Sequence, residues 1–230
     1  MQPVVTDQGP GDALGFDCPG ADTLTTGSAS SQAGPARVTT RRPGRPRSAQ
    51  AEQAIIEATL DLFAEEGFEG VCVEAVAARA GVGKATIYRR WPNKEELLLA
   101  AFGSLKSPFP EPKGDSVRDD LLAMVKTMCA DRSDPRKARR YALLLGEGNK
   151  YPRLMARYKE EVVEPRREAM REVIRRGTRN GELRPDTDVD IAMITLTGAC
   201  MAQDQSPQNL NDEFATRLID GLLFGVSARA

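Results

Sequence analysis

Apolar positions recur along most of the chain at the three-to-four-residue spacing that lays a stripe along one face of an α-helix. Ile55, Thr59, Leu62 and Phe63 fall at i, i+4, i+7 and i+8, with Ser48 placed to cap the start and Gly67 to end the run. A second, short helix is predicted over Val73 to Ala80, with Val73, Val76, Ala77 and Ala80 inward and Gly81 turning the chain. A third runs from Lys84 to about Trp91, stopped by Pro92. Asn93 and Glu96 form a capping-box pair for a fourth, which carries Leu97, Leu98, Ala101, Phe102 and Leu105.

Prolines at 108, 110 and 112 make 107–114 a loop and a domain boundary. Beyond it, Ser116 caps a helix with Val117, Leu121, Val125 and Met128, and Asp134-Pro135 opens another to about Leu145. Pro152 starts a long amphipathic run to Arg176, with a kink expected at Pro165. After breaks at Gly181 and Pro185, helices are predicted from Asp188 to about Met201 and from Asn211 to about Gly225. No window of more than four residues alternates as a strand does, so the expected fold class is all-α.

Composition changes this picture at the N-terminus. Residues 1–36 are rich in Gly, Ser, Thr and Asp and show no periodicity, so they are expected to be a disordered extension. The formal net charge of −1 hides a segregation. Residues 37–47 hold five arginines and no acid, 52–74 hold seven acids and no base, and Arg79 to Lys94 holds five bases and no acid. Two basic blocks around an acidic one suit a small domain with one positive and one negative face.

Histidine is absent, which removes Ser-His-Asp and Cys-His catalysis, His-ligated zinc and a histidine pH switch. The cysteines at 18, 72, 129 and 200 form no CxxC pair and are expected as reduced thiols, Cys129 and Cys200 as inert core residues. With no long apolar run and no secretory signal pattern, a cytoplasmic protein without a membrane partner is expected.

The informative stretch is Val73 to Leu97, whose two short helices joined at Ala80-Gly81-Val82 have helix-turn-helix proportions. On the third helix Ile87 and Trp91 share one face, while Lys84, Ala85, Tyr88 and Arg89 share the other. Lysine can donate to guanine O6 and N7, small Ala85 permits close approach or touches a thymine methyl, and hydroxyls and cations hold phosphates. Glu74 has the chemistry to accept from cytosine N4. Upstream, Arg42, Arg45 and Arg47 sit in a Gly-Arg-Pro setting suited to entering a narrow minor groove, against the plainer reading of a solvated linker.

This segment resembles the TetR family of bacterial transcriptional regulators. The resemblance rests on Phe63, Gly67, Phe68, Val73, Val76 and Ala77, then Ala80-Gly81-Val82, Thr86-Ile87-Tyr88 and Pro92 to Leu97. It implies a three-helix DNA-binding head on a larger helical body that dimerises and binds a small apolar or amphipathic effector. By position, Lys84, Ala85 and Tyr88 would contact bases of a palindromic double-stranded operator, and Thr86, Arg89, Arg90 and Lys94 would hold phosphates. Cys72 and Gly83 stand where the family has capping side chains, so both helix starts should rely on backbone contacts or water.

The resemblance divides the chain into an extension (1–36), a basic arm (37–47), a head (48–106) and a body (115–230). The last two helices would supply the homodimer interface through Ile191, Ile194, Leu196, Phe214, Leu218, Leu222, Leu223 and Phe224, with Gly198 and Ala199 permitting close approach. In the body, Met124, Met128, Met155, Met170, Met193 and Met201 suit core packing, with room for two or three at a ligand cavity. Tyr141, Tyr151 and Tyr158 suit surface packing or the orientation of a ligand. The Arg166–Arg179 stretch is expected to be a solvated face paired to Glu164, Glu168 and Glu172. The resulting reading is a ligand-responsive repressor, not an enzyme and without a cofactor. The alternatives are a helical enzyme or carrier with a relic head, and a ligand-independent DNA-organising protein.

Overall fold

The computed structural model describes residues 46–202 and 210–224, with side chains from Ala49 onward. The extension and most of the basic arm, including Arg42 and Arg45, lie outside the described residues, as do Cys18 and Gly225. Ten α-helices and no strand occur among the described residues, as the all-α expectation requires. They are α1 (Pro46–Gly70), α2 (Val73–Ala80), α3 (Lys84–Tyr88), α4 (Lys94–Ser104), α5 (Val117–Ser133), α6 (Pro135–Glu147), α7 (Pro152–Tyr158), α8 (Glu164–Arg179), α9 (Val189–Met201) and α10 (Asp212–Phe224). None is long and apolar enough to cross a membrane. The chain divides into two compact units between Ala101 and Phe102, inside α4, whereas the boundary expected from the prolines lies in the loop after it.

In the first unit α1 begins at Pro46, two residues before the expected cap Ser48, because proline at the first helical position has its φ pre-set and loses no hydrogen bond. Gly67, with φ of 73°, breaks the helical path where expected, although the hydrogen-bonded run continues to Gly70. The core of this unit includes Ile55, Leu62, Phe63, Phe68, Val76 and Leu98, all buried, with the Phe63 and Phe68 rings edge to face at 4.9 Å. Thr59 joins them at no polar cost, since its hydroxyl donates to the Ile55 carbonyl at 2.8 Å. The Asn93 cap forms as expected, its side chain accepting from Glu96 N at 2.9 Å.

The second unit is built on α5, α8, α9 and α10, which bury Leu121, Val125, Met170, Ile174, Leu196 and Ile219 among others. Four of its helices, α5, α6, α9 and α10, start where short polar side chains satisfy free N–H groups of the first turn. Ser116 accepts from Asp119 N, Asp134 from Arg136 N and Lys137 N, Asp188 from Ile191 N, and Asn211 from Phe214 N. Gly177 lets α8 approach the start of α5, for a Cβ there would fall 2.6 Å from Val117 Cγ2.

The expected kink near Pro165 takes a particular form. Residues 159–163 make one π-helical turn between α7 and α8. Pro165 has no N–H to continue the α-helical ladder, and an inserted residue relieves the clash of its ring with the preceding turn. Leu196, expected at the dimer face, is instead fully buried inside the unit, while Ile191 and Ile194 are 60% and 55% exposed. Leu196 follows Ile191 by five positions and Ile194 by two, offsets that on a helix turn a side chain away from both. Cys129 and Cys200 are free and buried as expected. Cys72, expected as a reduced thiol, is disulfide-bonded; the spacing of cysteines along a sequence argues against a compact framework but does not by itself keep a thiol free.

Candidate nucleic-acid interface and effector cavity

Gly81 sets the angle between α2 and α3. It sits in the left-handed region at φ 65°, ψ 34°, donates its N–H to the Ala77 and Ala78 carbonyls, and is followed by Val82 N donating to Ala77 O at 3.0 Å. An L-residue with a side chain would be strained there. As expected, neither Cys72 nor Gly83 offers a side-chain cap. The backbone substitutes: Val76 N donates to Cys72 O at 3.0 Å and Thr86 N to Gly83 O at 2.8 Å.

The roll of α3 is fixed by its apolar side. Ile87 is fully buried and Trp91 is 8% exposed; each buried side chain of this kind is worth about 1.5–3 kcal/mol against exposure. The regular helix ends earlier than expected, at Tyr88. Arg90 N and Trp91 N both donate to Ile87 O at 2.9 Å, a tightened last turn that carries Trp91 into the core. The opposite side then presents Lys84, Ala85, Tyr88 and Arg89, all exposed, with Thr86 half-buried beside them.

Three of the expected DNA contacts are already engaged. The Lys84 ammonium is paired with the Glu74 carboxylate of α2, and that hydrogen bond holds the Glu74 carboxyl below its ordinary range. Arg90 turns back toward α1, with Nε 3.4 Å from the Glu52 carboxylate. Lys94 is 4% exposed, its amine donating to the Glu69 carbonyl at 3.5 Å, and burial lowers its pKa. Arg47 belongs to α1 by its backbone, and its side chain is outside the described residues. The structure therefore gathers Lys84, Ala85, Thr86, Tyr88 and Arg89 into one patch and leaves Arg90 and Lys94 apart from it.

This two-helix geometry lies within a segment that matches known proteins. Residues 55–101 match the profile of bacterial regulatory proteins of the tetR family, and residues 111–222 match the tetracyclin repressor-like C-terminal domain. YdeS, an HTH-type transcriptional regulator of Bacillus subtilis, is 31% identical over 189 residues, covering 80% of this chain and 94% of its own. The chain belongs to the TetR family.

Like other TetR-family members, it is a DNA-binding transcriptional regulator. The TetR-family structure of SCO0332 is 28% identical, with a TM-score of 0.58 over 78% of this chain and all of that one. FadR of Bacillus subtilis, solved with stearoyl-CoA, shares the fold at 18% identity and a TM-score of 0.57, over 76% of this chain and 99% of that one.

The TetR-type body contains a cavity of about 400 Å³. Met128, Met155, Met170 and Met201 line it, whereas Met124 and Met193 are packed in the core. Tyr141 and Tyr158 line it as well. The Arg166–Arg179 stretch is divided rather than uniformly solvated. Arg167, Arg171, Arg175 and Arg179 pair with Glu164, Glu168 or Glu172 as expected. Arg166 instead lies over the Phe109 ring at 3.9 Å and lines the cavity, and Arg176 reaches Asp120 at 2.6 Å. The cavity bases Lys106, Arg132 and Lys137 have no role in the sequence reading; no local pattern marks them, because distant helices bring them together.

Proposed function

We propose that the chain is a ligand-responsive repressor that binds a palindromic operator as a homodimer and releases it when a small amphipathic effector fills the body cavity. The observation that carries this reading is the α2–α3 pair. Burial of Ile87 and Trp91 turns Lys84, Ala85, Tyr88 and Arg89 outward on one short helix. Lys84, Ala85 and Tyr88 would read base edges in the major groove, with Thr86 and Arg89 on phosphates. Arg90 and Lys94 would join them only on leaving Glu52 and Glu69. Arg42, Arg45 and Arg47 would follow the adjacent minor groove.

Dimerisation through α9 and α10 is supported by exposed Ile191, Ile194 and Phe224. A Cβ added at Gly198 or Gly221 would meet nothing within 4 Å, which leaves room for another helix to approach. Two heads must meet half-sites about 34–36 Å apart, so an effector that alters their spacing would break the joint fit. Such a regulator acts in the cytoplasm and needs no catalytic step. An amphipathic effector is supported by FadR of Bacillus subtilis, which shares this fold and was solved in complex with stearoyl-CoA.

The test is selection of bound fragments from a random DNA pool, followed by titration of the selected site against competitor DNA. A palindromic site preferred by about a thousandfold or more over random DNA is the expected result. Equal binding to both would leave a DNA-organising protein in its place.

A further inference from the structure

The cavity of the body is apolar over most of its wall, yet its charges are one-sided. Lys106, Arg132, Lys137, Lys159, Arg166 and Arg167 line it, with Asp131 as the acid among them. Asp131 is already engaged. It accepts from Ser107 N at 2.8 Å, from Ser107 Oγ at 2.6 Å and from Lys137 Nζ at 2.6 Å. Arg167 is likewise paired, with Glu164 at 2.8 Å.

Two of the other cations stand against one aromatic ring. Lys106 Nζ is 4.5 Å above the centroid of Tyr141, and the Arg132 guanidinium carbon is 5.1 Å from the same ring. The Lys106 ammonium has neither a hydrogen bond nor an ion pair among the described residues. Burial, aided by Arg166, pushes its pKa from the usual lysine value down to about 8. Beside this cluster Tyr158 is 2% exposed, and its hydroxyl is buried without a hydrogen-bond partner. Buried polar groups are normally satisfied, and a buried charge without an opposite charge is costly. The wall thus holds an unpaired ammonium and a free hydroxyl, both suited to one negatively charged oxygen group.

We propose that this cavity selects an amphipathic organic anion, its anionic head against Lys106, Arg132 and Tyr158 and its hydrocarbon part against Met128, Met155, Met170 and Met201. The inference deepens the effector reading above and rests on it. The cavity volume lies within the roughly 300–1,000 Å³ of small-molecule sites. Thioether side chains fit hydrocarbon of varied shape, so the charge fixes the class of ligand and the methionines tolerate its length. An uncharged apolar ligand would fill the same space but leave Lys106 unpaired. A cation would add to the repulsion.

The experiment titrates the full chain, without DNA, with decanoate, decyl phosphate, decanol and decylamine by calorimetry at neutral pH. Decanoate or decyl phosphate should bind about tenfold or more tightly than decanol, the scale of one hydrogen bond to a charged group, and decylamine should not bind. The comparison of decanoate with decyl phosphate distinguishes a carboxylate from a phosphate head. Lys106→Met keeps the apolar stem and should erase the preference of anion over alcohol, while Tyr158→Phe should weaken the anion alone. Thermal melting of both variants without ligand checks their folding. If Lys106→Met does not fold, the wild-type ranking and Tyr158→Phe still decide. Equal binding of decanoate and decanol, an unchanged preference in the variants, or no binding by any of the four would overturn the proposal. Because DNA is absent, failure here leaves operator selection by the head as a separate result.

Discussion

Asp120 on α5 accepts a hydrogen bond from the Arg176 guanidinium of α8 at 2.6 Å, and with its two oxygens also accepts from the Lys113 and Gly114 amides at 2.8 and 3.0 Å. One buried carboxylate thus joins two core helices and closes the 107–114 loop. Burial by itself would raise its pKa, but Arg176 and the two amides outweigh burial and hold the carboxyl below its ordinary range. A depressed carboxyl contributes stability above the unfolded value near 4, and that stability is lost as pH falls through the lower native value. Asp120→Asn should cost about 2–4 kcal/mol at neutral pH and show a smaller further loss in acid than the wild type. Urea titrations at neutral and acid pH check both parts, and an unchanged midpoint at neutral pH would falsify the clasp.

In the head, Glu74 competes with DNA for Lys84. Glu74→Gln should raise affinity for any duplex by about two- to fivefold, the scale of an exposed ion pair. It should also steepen the salt dependence, whereas Lys84→Ala flattens it. Tyr88→Ala should remove about 1–3 kcal/mol of preference for the selected site while leaving the melting temperature in place. Fluorescence anisotropy across salt concentrations measures all three. A Glu74→Gln protein with wild-type affinity and slope would place Lys84 away from the DNA.

Replacing Arg42, Arg45 and Arg47 together with Ala should lower the magnitude of the log affinity against log salt slope by roughly 0.9 for each phosphate no longer neutralised, doubled in a dimer. Deleting 1–36 should leave it unaltered. If the triple variant keeps the wild-type slope, the arm is a linker.

Ile191→Asp combined with Ile194→Asp should yield a monomer by analytical ultracentrifugation. Both side chains are more than half exposed in the single chain, so the fold should change by no more than about 0.5 kcal/mol. Persistence of the dimer would move the interface elsewhere.

The cavity gives a pH dependence of its own. Lys106 lies over the Tyr141 ring and shares the cavity with Asp131 and Arg132 from α5, Lys137 from α6, Tyr158 from α7, Lys159 from the π turn, and Arg166 and Arg167 from α8. With its pKa near 8, it is protonated at neutral pH and neutral in mild alkali. Decanoate affinity should therefore fall as pH rises through 8, while decanol affinity stays level. Parallel profiles for the two would remove Lys106 from the contact.

What is legible in the sequence is what is decided within a turn or two of the chain. The caps at Asn93, Ser116, Asp134, Asp188 and Asn211 and the left-handed Gly81 all appear where short-range chemistry places them. The four-residue spacing of Ile87 and Trp91 is enough to put both on the buried face. Tertiary contacts decide the rest. Lys94 reads as an exposed base, but its amine is drawn to the Glu69 carbonyl, and Leu196 reads as outward, but it fills the core. Lys106 and Arg166 are sixty residues apart, and only the packing of α8 beside the loop after α4 makes them lining of one cavity.

The π-helical turn at 159–163 has a consequence for how such a cavity can be altered. Each residue of a regular α-helix advances the chain by about 100° around its axis, and the wider π turn takes up its one surplus residue by advancing less per residue, so the helices on either side keep their phase. Tyr158 lies just before that turn and Arg166 just after it, and both reach the same cavity. Loss of a single codon within the turn would restore a regular helix and leave these two groups in nearly the same angular relation. Lys159 and Val163, which belong to the turn, also line the cavity, so a deletion there would recast that stretch of wall while Tyr158 and Arg166 stay in register.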